Sequence, residues 1–163
     1  MTTVEKLPIQ TSQNEFKANI LEASILHQKK VIDDFQRRVN EIMASEANEK
    51  DEYDAHQQSF KSETMTEVSL LSDQLHFAQH EFDELRHIQN YGHERHSMAE
   101  YGTVVKTDKE TFFISVGIEE FYVGDQLVFG ISVQSPIYKA MKGKRVNDRF
   151  SFNGINYLIE EIF

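Results

Sequence analysis

The sequence has no cysteine, which excludes disulfides and cysteine-ligated zinc and permits a reducing compartment. Its only prolines are Pro8 and Pro136, and no glycine precedes Gly92, so more than half of the chain is almost free of helix breakers. No segment approaches the ~20 apolar residues of a membrane span. Residues 1–10 also lack the apolar run of a secretory signal, so a soluble, cytoplasmic protein with no membrane contact is expected. Apolar content is only 39% of 163 residues and the mean hydropathy is −0.53. Both are low for one globular core and favour a small domain plus an extended, solvated element. Cations are scarce as well, 17 Lys and Arg against 27 Asp and Glu, for a net charge of −10. Such a field repels a bare phosphate backbone, so any contact with nucleic acid must be local or made through a partner.

The acid is concentrated at Ser45-Glu46-Ala47-Asn48-Glu49-Lys50-Asp51-Glu52-Tyr53-Asp54, five carboxylates and one lysine. This cluster lies midway between two segments with apolar residues every three or four positions. Ser12, with Glu15 three residues on, has the pattern of a helix N-cap. Ile25, Gln28, Ile32, Phe35, Val39 and Ile42 then form one seam, and continuing the count reaches Glu46 and Glu49. Val68, Leu71, Leu75, Ala78, Phe82 and Leu85 form a second seam, with Gln57 and Lys61 as its polar continuation toward the cluster. Reflection about a point near residue 53 pairs Ile25 with Phe82 and Ile42 with Thr64 or Met65, the register of an antiparallel coiled-coil hairpin over residues 1–96 with an acidic tip at about 46–54. Each helix of ~35 residues would be roughly 50 Å long. Burying unpaired carboxylates on the seam costs several kcal/mol each, on the order of the transfer penalty for charge, so the arms are expected to open to water at the tip. A coiled coil that merely dimerises with its own copy is the plainer alternative, although an intramolecular hairpin makes a monomer the default.

Off the seam, Phe16, Ile20 and Leu26 are expected to pack under a second domain or the hairpin's base. His76, His80, Asp83 and His87 recur at metal-ligand spacing. They fall on the outermost helix face, where nothing converges on them, and His93 and His96 read as incidental linker residues.

Past Gly92 the pattern changes to short β-like runs at 103–107, 111–116 and 126–131, separated by glycine or Asp-Lys turns. Ser135 and Pro136 have the form of an N-cap and first-turn proline, and Gly143 can close that short helix in the left-handed conformation. Strands at 149–152 and 155–159 are joined by Asn153-Gly154, a strong two-residue hairpin signal. The expected fold class is α+β: a helical hairpin followed, over 97–163, by a small, mainly antiparallel sheet on one short helix. Lys139, Lys142, Lys144, Arg145 and Arg149 form a basic patch on an acidic whole, for which ordinary surface charge is a sufficient account.

The stretch Ser135-Pro136-Ile137-Tyr138-Lys139-Ala140-Met141-Lys142-Gly143-Lys144-Arg145-Val146-Asn147-Asp148 is similar to the S-P-[IL]-x-x-A-L-x-G-K-x-x-G-D of the Gre family of bacterial transcript-cleavage factors. Asn147 stands for the family's glycine and tolerates the same left-handed backbone. The resemblance implies that residues 101–163 are an FKBP-like domain and that Ser135 and Pro136 lie in a loop binding RNA polymerase at the rim of its secondary channel. The family's tip reads roughly D-x-x-E-N-A-E-Y, and alignment on Tyr53 puts Glu46 at the aspartate and Glu49 at the first glutamate. By resemblance, these two would be the catalytic carboxylates, helping to hold a second Mg²⁺ beside the polymerase's own and positioning water to hydrolyse the 3′ end of backtracked nascent RNA. Carboxylates at i and i+3 point the same way from a helix end, and Mg²⁺ takes one or two such ligands with waters and phosphates as the rest. The chain alone would bind no cofactor and would be no enzyme; it would lend ligands to the polymerase's intrinsic nuclease.

The tip departs from the pattern. Glu46 replaces aspartate, Lys50 and Asp51 replace Asn-Ala, and the preceding glycine is absent. With the extra acid of Asp51 and Asp54, it looks somewhat like family members that occupy the channel and inhibit. A non-cleaving channel regulator therefore stands beside the cleavage factor, and a coiled-coil protein with another partner is a third possibility. A zinc-dependent channel binder of the DksA kind is disfavoured by the lack of cysteine.

Overall fold

With neither proline nor glycine to interrupt them, two long helices form: α1 (Ile9–Asn48) and α2 (Ala55–Tyr91). The computed structural model describes residues 9–48, 55–92 and 96–163. α1 begins by Ile9, so Ser12 lies exposed inside the helix and the expected N-cap there is wrong. Serine is only mildly unfavourable in a helix interior, so nothing at Ser12 obliges the helix to start there. No described helix is long and apolar enough to cross a membrane.

The chain divides into two compact units, Met1–Ile25 with Glu84–Phe163, and Leu26–Asp83. In the second, the two seams meet. Val39, Leu71, Leu75 and Ala78 are buried, and Ile32, Phe35, Ile42, Val68 and Phe82 are half-buried. Register is fixed by Gln28, only 3% exposed, whose Nε2 donates to the Ala78 carbonyl at 3.1 Å and to Glu81 Oε2 at 3.0 Å. Positions 28 and 78 are equidistant from 53, as the reflection requires. Thr64 is half-buried while Met65 points to solvent, which decides between the two candidates opposite Ile42. Lys61 is exposed, and the Gln57 side chain lies outside the described residues. Leu26 is 68% exposed, contrary to its expected packing, because it follows Ile25 by 100° around the helix and so leaves the buried face.

In the larger unit a six-stranded sheet, order β3-β4-β2-β1-β6-β5, comprises β1 (Val104–Thr107), β2 (Thr111–Ser115), β3 (Ile118–Val123), β4 (Gln126–Ser132), β5 (Arg149–Phe152) and β6 (Ile155–Ile162). It is antiparallel except for β2 and β4, which pair in parallel from Thr111↔Val128 to Ser115↔Ser132. β3 was not expected from the sequence. Its adjacent Glu119 and Glu120 and the register shift between Ile118 and Glu120 conceal the alternation that marks a half-buried strand. At that bulge the strands approach closely, and a Cβ added to Gly130 would sit 2.7 Å from Ile118 Cβ. Asn153 (φ 50) and Gly154 (φ 77) both take the left-handed conformation that the two-residue hairpin needs.

β2 is buried at every position because both faces of the sheet are covered. On one face Val105, Phe112, Ile114, Tyr157 and Ile159 pack with Tyr138 and Met141 of α3 (Pro136–Met141). On the other, Val104, Phe113 and Val128 pack with Ile20 and Leu21 of α1 and Leu85 and Ile88 of α2, with Phe16 against the cluster's edge. Two polar ties reinforce this face. Tyr101 Oη donates to Glu84 Oε2 at 2.5 Å, and Glu161 accepts from Gln13 Nε2 at 2.8 Å and from Lys106 Nζ at 3.1 Å. The Gln13 bond and, after it, Lys106 hold the Glu161 carboxyl below the ordinary range, against the opposing effect of burial.

Gly130→Ala is expected to destabilise the sheet by about 1–3 kcal/mol through overpacking, read as a lowered urea midpoint; a midpoint unchanged or raised would contradict the close approach. Because the folded pKa of Glu161 is depressed, its tie contributes stability above the unfolded carboxylate value, and this is lost as pH falls through the folded one. The group is partly exposed, so solvent screening keeps the effect small. The stability deficit of Gln13→Ala, measured by thermal melting, should therefore be present at neutral pH and shrink as pH falls below the ordinary carboxylate value; a constant deficit would remove the charge from the account.

Candidate functional site

The segment 135–148 is a chain of backbone fixings. Ser135 Oγ accepts from the Tyr138 N–H at 3.3 Å and donates to the Ser132 carbonyl at 2.7 Å, capping α3 as expected. Pro136 follows at the first helical position, where a missing N–H costs nothing. At the other end, Gly143 (φ 73) reverses the chain. Its N–H donates to the Ala99 carbonyl at 2.9 Å, and the Ala99 N–H donates to the Lys144 carbonyl at 2.7 Å. Asn147 adopts φ 74, the left-handed conformation expected at that position, and donates its N–H to Ile159 at 2.8 Å. Asp148 Oδ2 accepts the Arg145 N–H at 2.7 Å. With Tyr138 and Met141 buried beneath it, the segment holds Ser135 half-buried and Pro136 exposed on one fixed loop.

Beside this segment lie His96 and Glu100. His96 Nδ1 sits 2.8 Å from Glu100 Oε1, and the imidazole side chain is only 14% exposed. Its Nε2 is buried and finds no hydrogen-bond partner among the described residues. His96, expected to be incidental rather than a metal ligand, is thus held within the domain by Glu100, and its spacing of four from Glu100 was the available signal. Tyr138 has its phenol pushed up by burial and, second, by the charge of Glu100. His93 lies outside the described residues.

In the other unit Glu46 is on the last turn of α1, half-buried, on the seam position that the count from Ile42 assigns to it. Its Oε1 is buried without a hydrogen-bond partner among the described residues, so the seam has not opened to water at this oxygen. Glu49, and with it Lys50 to Asp54, lies outside the described residues. Among the described residues no group of three or more His, Cys, Asp or Glu could hold a metal ion unaided. His76, His80, Asp83 and His87 are all exposed on α2.

No family model matches the chain, and no curated protein matches it. Among solved structures, the chain is similar to GreA factor homolog 1 (Gfh1) of Thermus thermophilus, at 16% identity over 88% of this chain and 92% of that one, with a TM-score of 0.33. It is similar also to Thermus aquaticus Gfh1, at 16% identity over 91% of this chain and 94% of that one, with a TM-score of 0.36.

Replacing the unpartnered Glu46 by an apolar residue of similar reach removes a desolvated oxygen and extends the seam. Glu46→Leu is expected to stabilise the hairpin by about 1 kcal/mol, seen as a higher urea midpoint for the helical signal; a fall would mean that the carboxylate is satisfied in solution.

Proposed function

We propose that this chain is an RNA polymerase-binding transcription elongation factor that places a helical hairpin in the enzyme's secondary channel and stimulates cleavage of backtracked RNA. The observation that carries the reading is the segment Ser135 to Asp148. Its resemblance to the Gre motif is matched by a backbone in which Ser135, Pro136, Gly143, Asn147 and Asp148 each perform a definable conformational task. Support also comes from the pairing of this domain with a long antiparallel hairpin whose seam ends in carboxylates. Such a factor acts in the cytoplasm, where its polymerase is.

On this reading Ser135 and Pro136 meet the polymerase at the channel rim. Glu46 and Glu49 are lent to a Mg²⁺ held jointly with the polymerase at the RNA 3′ end, and the ion when bound stabilises the attacking or leaving oxygen. The chain's own part is to bring the carboxylates to a fixed place and to bind the ion too weakly to be an enzyme by itself. A second reading, a channel-occupying regulator that does not stimulate cleavage, is favoured by one observation: Glu46 Oε1 is turned into the seam rather than toward solvent.

The deciding experiment uses a stalled, backtracked elongation complex from the cognate polymerase. The wild type should accelerate release of the 3′ RNA fragment. Glu46→Ala/Glu49→Ala should lose most of that acceleration while still binding, because removal of an essential metal ligand acts on the chemistry and leaves the docking surface intact. Binding without cleavage by the wild type would support the regulator, and absence of binding would defeat both.

A further inference from the structure

On α2, His76, His80 and Asp83 follow one another at intervals of four and three residues, all exposed. That spacing places side chains one above another along a single side of a helix. The hairpin does not use them. Leu71, Leu75 and Ala78 carry the buried seam of this stretch, and neither imidazole nor the carboxylate makes a hydrogen bond or ion pair among the described residues. Glutamine, lysine or glutamate would suit an exposed helical position better than histidine, so two histidines one turn apart are not explained by the helix itself.

Two histidines at i and i+4 form a chelate without help from a second element. Their Cβ atoms stand roughly 5–6 Å apart, and an ion at the zinc–nitrogen distance of about 2.0–2.1 Å can join both rings within that turn. Convergence from another helix is needed for a closed, four-ligand site, whereas here water completes the coordination. Asp83, three residues past His80, supplies a carboxylate of the kind that orients metal-bound imidazoles. The ligand type selects the ion, since imidazole suits zinc and its neighbours in the transition series while magnesium and calcium take oxygen. A net charge of −10 favours the approach of any dication. In zinc peptidases the residue after the first histidine of such a pair is a glutamate that serves as general base. Here it is Phe77, 65% exposed, so the pair has no such base beside it and is suited to binding rather than hydrolysis.

We propose that His76 and His80 form a two-histidine chelate for a zinc-class divalent ion on the exposed side of α2, completed by water. The bound ion clips one turn of the helix and stabilises its folded form. The site shares no residue with Glu46 and Glu49 and does not depend on the polymerase reading.

The test titrates the full-length chain with zinc chloride by calorimetry, in excess magnesium chloride to occupy carboxylate sites. It also follows the thermal midpoint of the helical circular dichroism signal with and without zinc. The wild type should bind an ion that His76→Ala and His80→Ala each lose, with affinity down roughly tenfold or more. Because a chelate fails when either ligand goes, the double variant should lose no more than each single one. His87→Ala, on the same helix, should keep the wild-type affinity within about twofold. Zinc should raise the midpoint of the wild type and of His87→Ala more than that of His76→Ala or His80→Ala. Alanine raises helix propensity at both positions, so lost binding is not lost folding. Single variants that each remove half of the bound zinc would overturn the chelate in favour of independent histidines, and single variants that bind as the wild type does would place the ion elsewhere. Absence of zinc binding by the wild type, or its displacement by magnesium, would overturn the site altogether.

Discussion

The larger unit depends on one packing constraint, a sheet with two apolar faces that must both be covered. In β2, Phe112 and Ile114 point to one side and Phe113 to the other, since successive side chains of a strand alternate. α3 is long enough to cover the first face but cannot reach the second. The second is closed by the base of the helical hairpin, where Ile20 and Leu85 are fully buried. A strand buried on both faces reads as a continuous apolar run, a pattern usual in parallel sheets. The one parallel pair of this sheet is formed by the same strand.

Conformational fixing and side-chain exposure occur together in the segment after β4. The residues that resemble the Gre motif are those that cap α3, reverse the chain and anchor the loop, and the basic side chains stand between these fixings. The tip follows the opposite pattern. There Glu46 occupies a seam position at which an apolar residue would suit the helices better. A local rule broken without local compensation is the usual mark of a residue kept for something outside the fold, and this gives a physical ground for attention to Glu46 independent of any family likeness.

The hairpin was legible because seam residues recur at helical spacing, and the Gln28 to Ala78 hydrogen bond agrees with a reflection near residue 53. The caps of α3 and the Asn153-Gly154 turn were legible because few residues tolerate those backbone conformations. Ser12 misled because capping chemistry is local, whereas the start of a helix depends on all the residues around it. Leu26 misled because hydrophobicity alone does not specify which side of a helix is covered. β3 escaped notice because its bulge and paired glutamates remove the period of two. The candidate site was legible only as a resemblance. Sequence placed Glu46 on the seam but could not say that one of its oxygens would be buried there, since that depends on the packing of the opposing helix. Glu49 is outside the described residues.

The double covering of the sheet also imposes an order on assembly. The helical residues that close its second face, Ile20 and Leu21, are synthesised long before the strands they cover. Phe163 exchanges both backbone hydrogen bonds with Val104, at 2.7 and 3.1 Å, and packs against the same apolar cluster. Contacts so distant in sequence form slowly, because the intervening chain must be ordered before they can contribute. On the ribosome, the first helix would therefore emerge with an exposed apolar face long before its partners in the sheet, Val104, Phe113 and Val128, are synthesised.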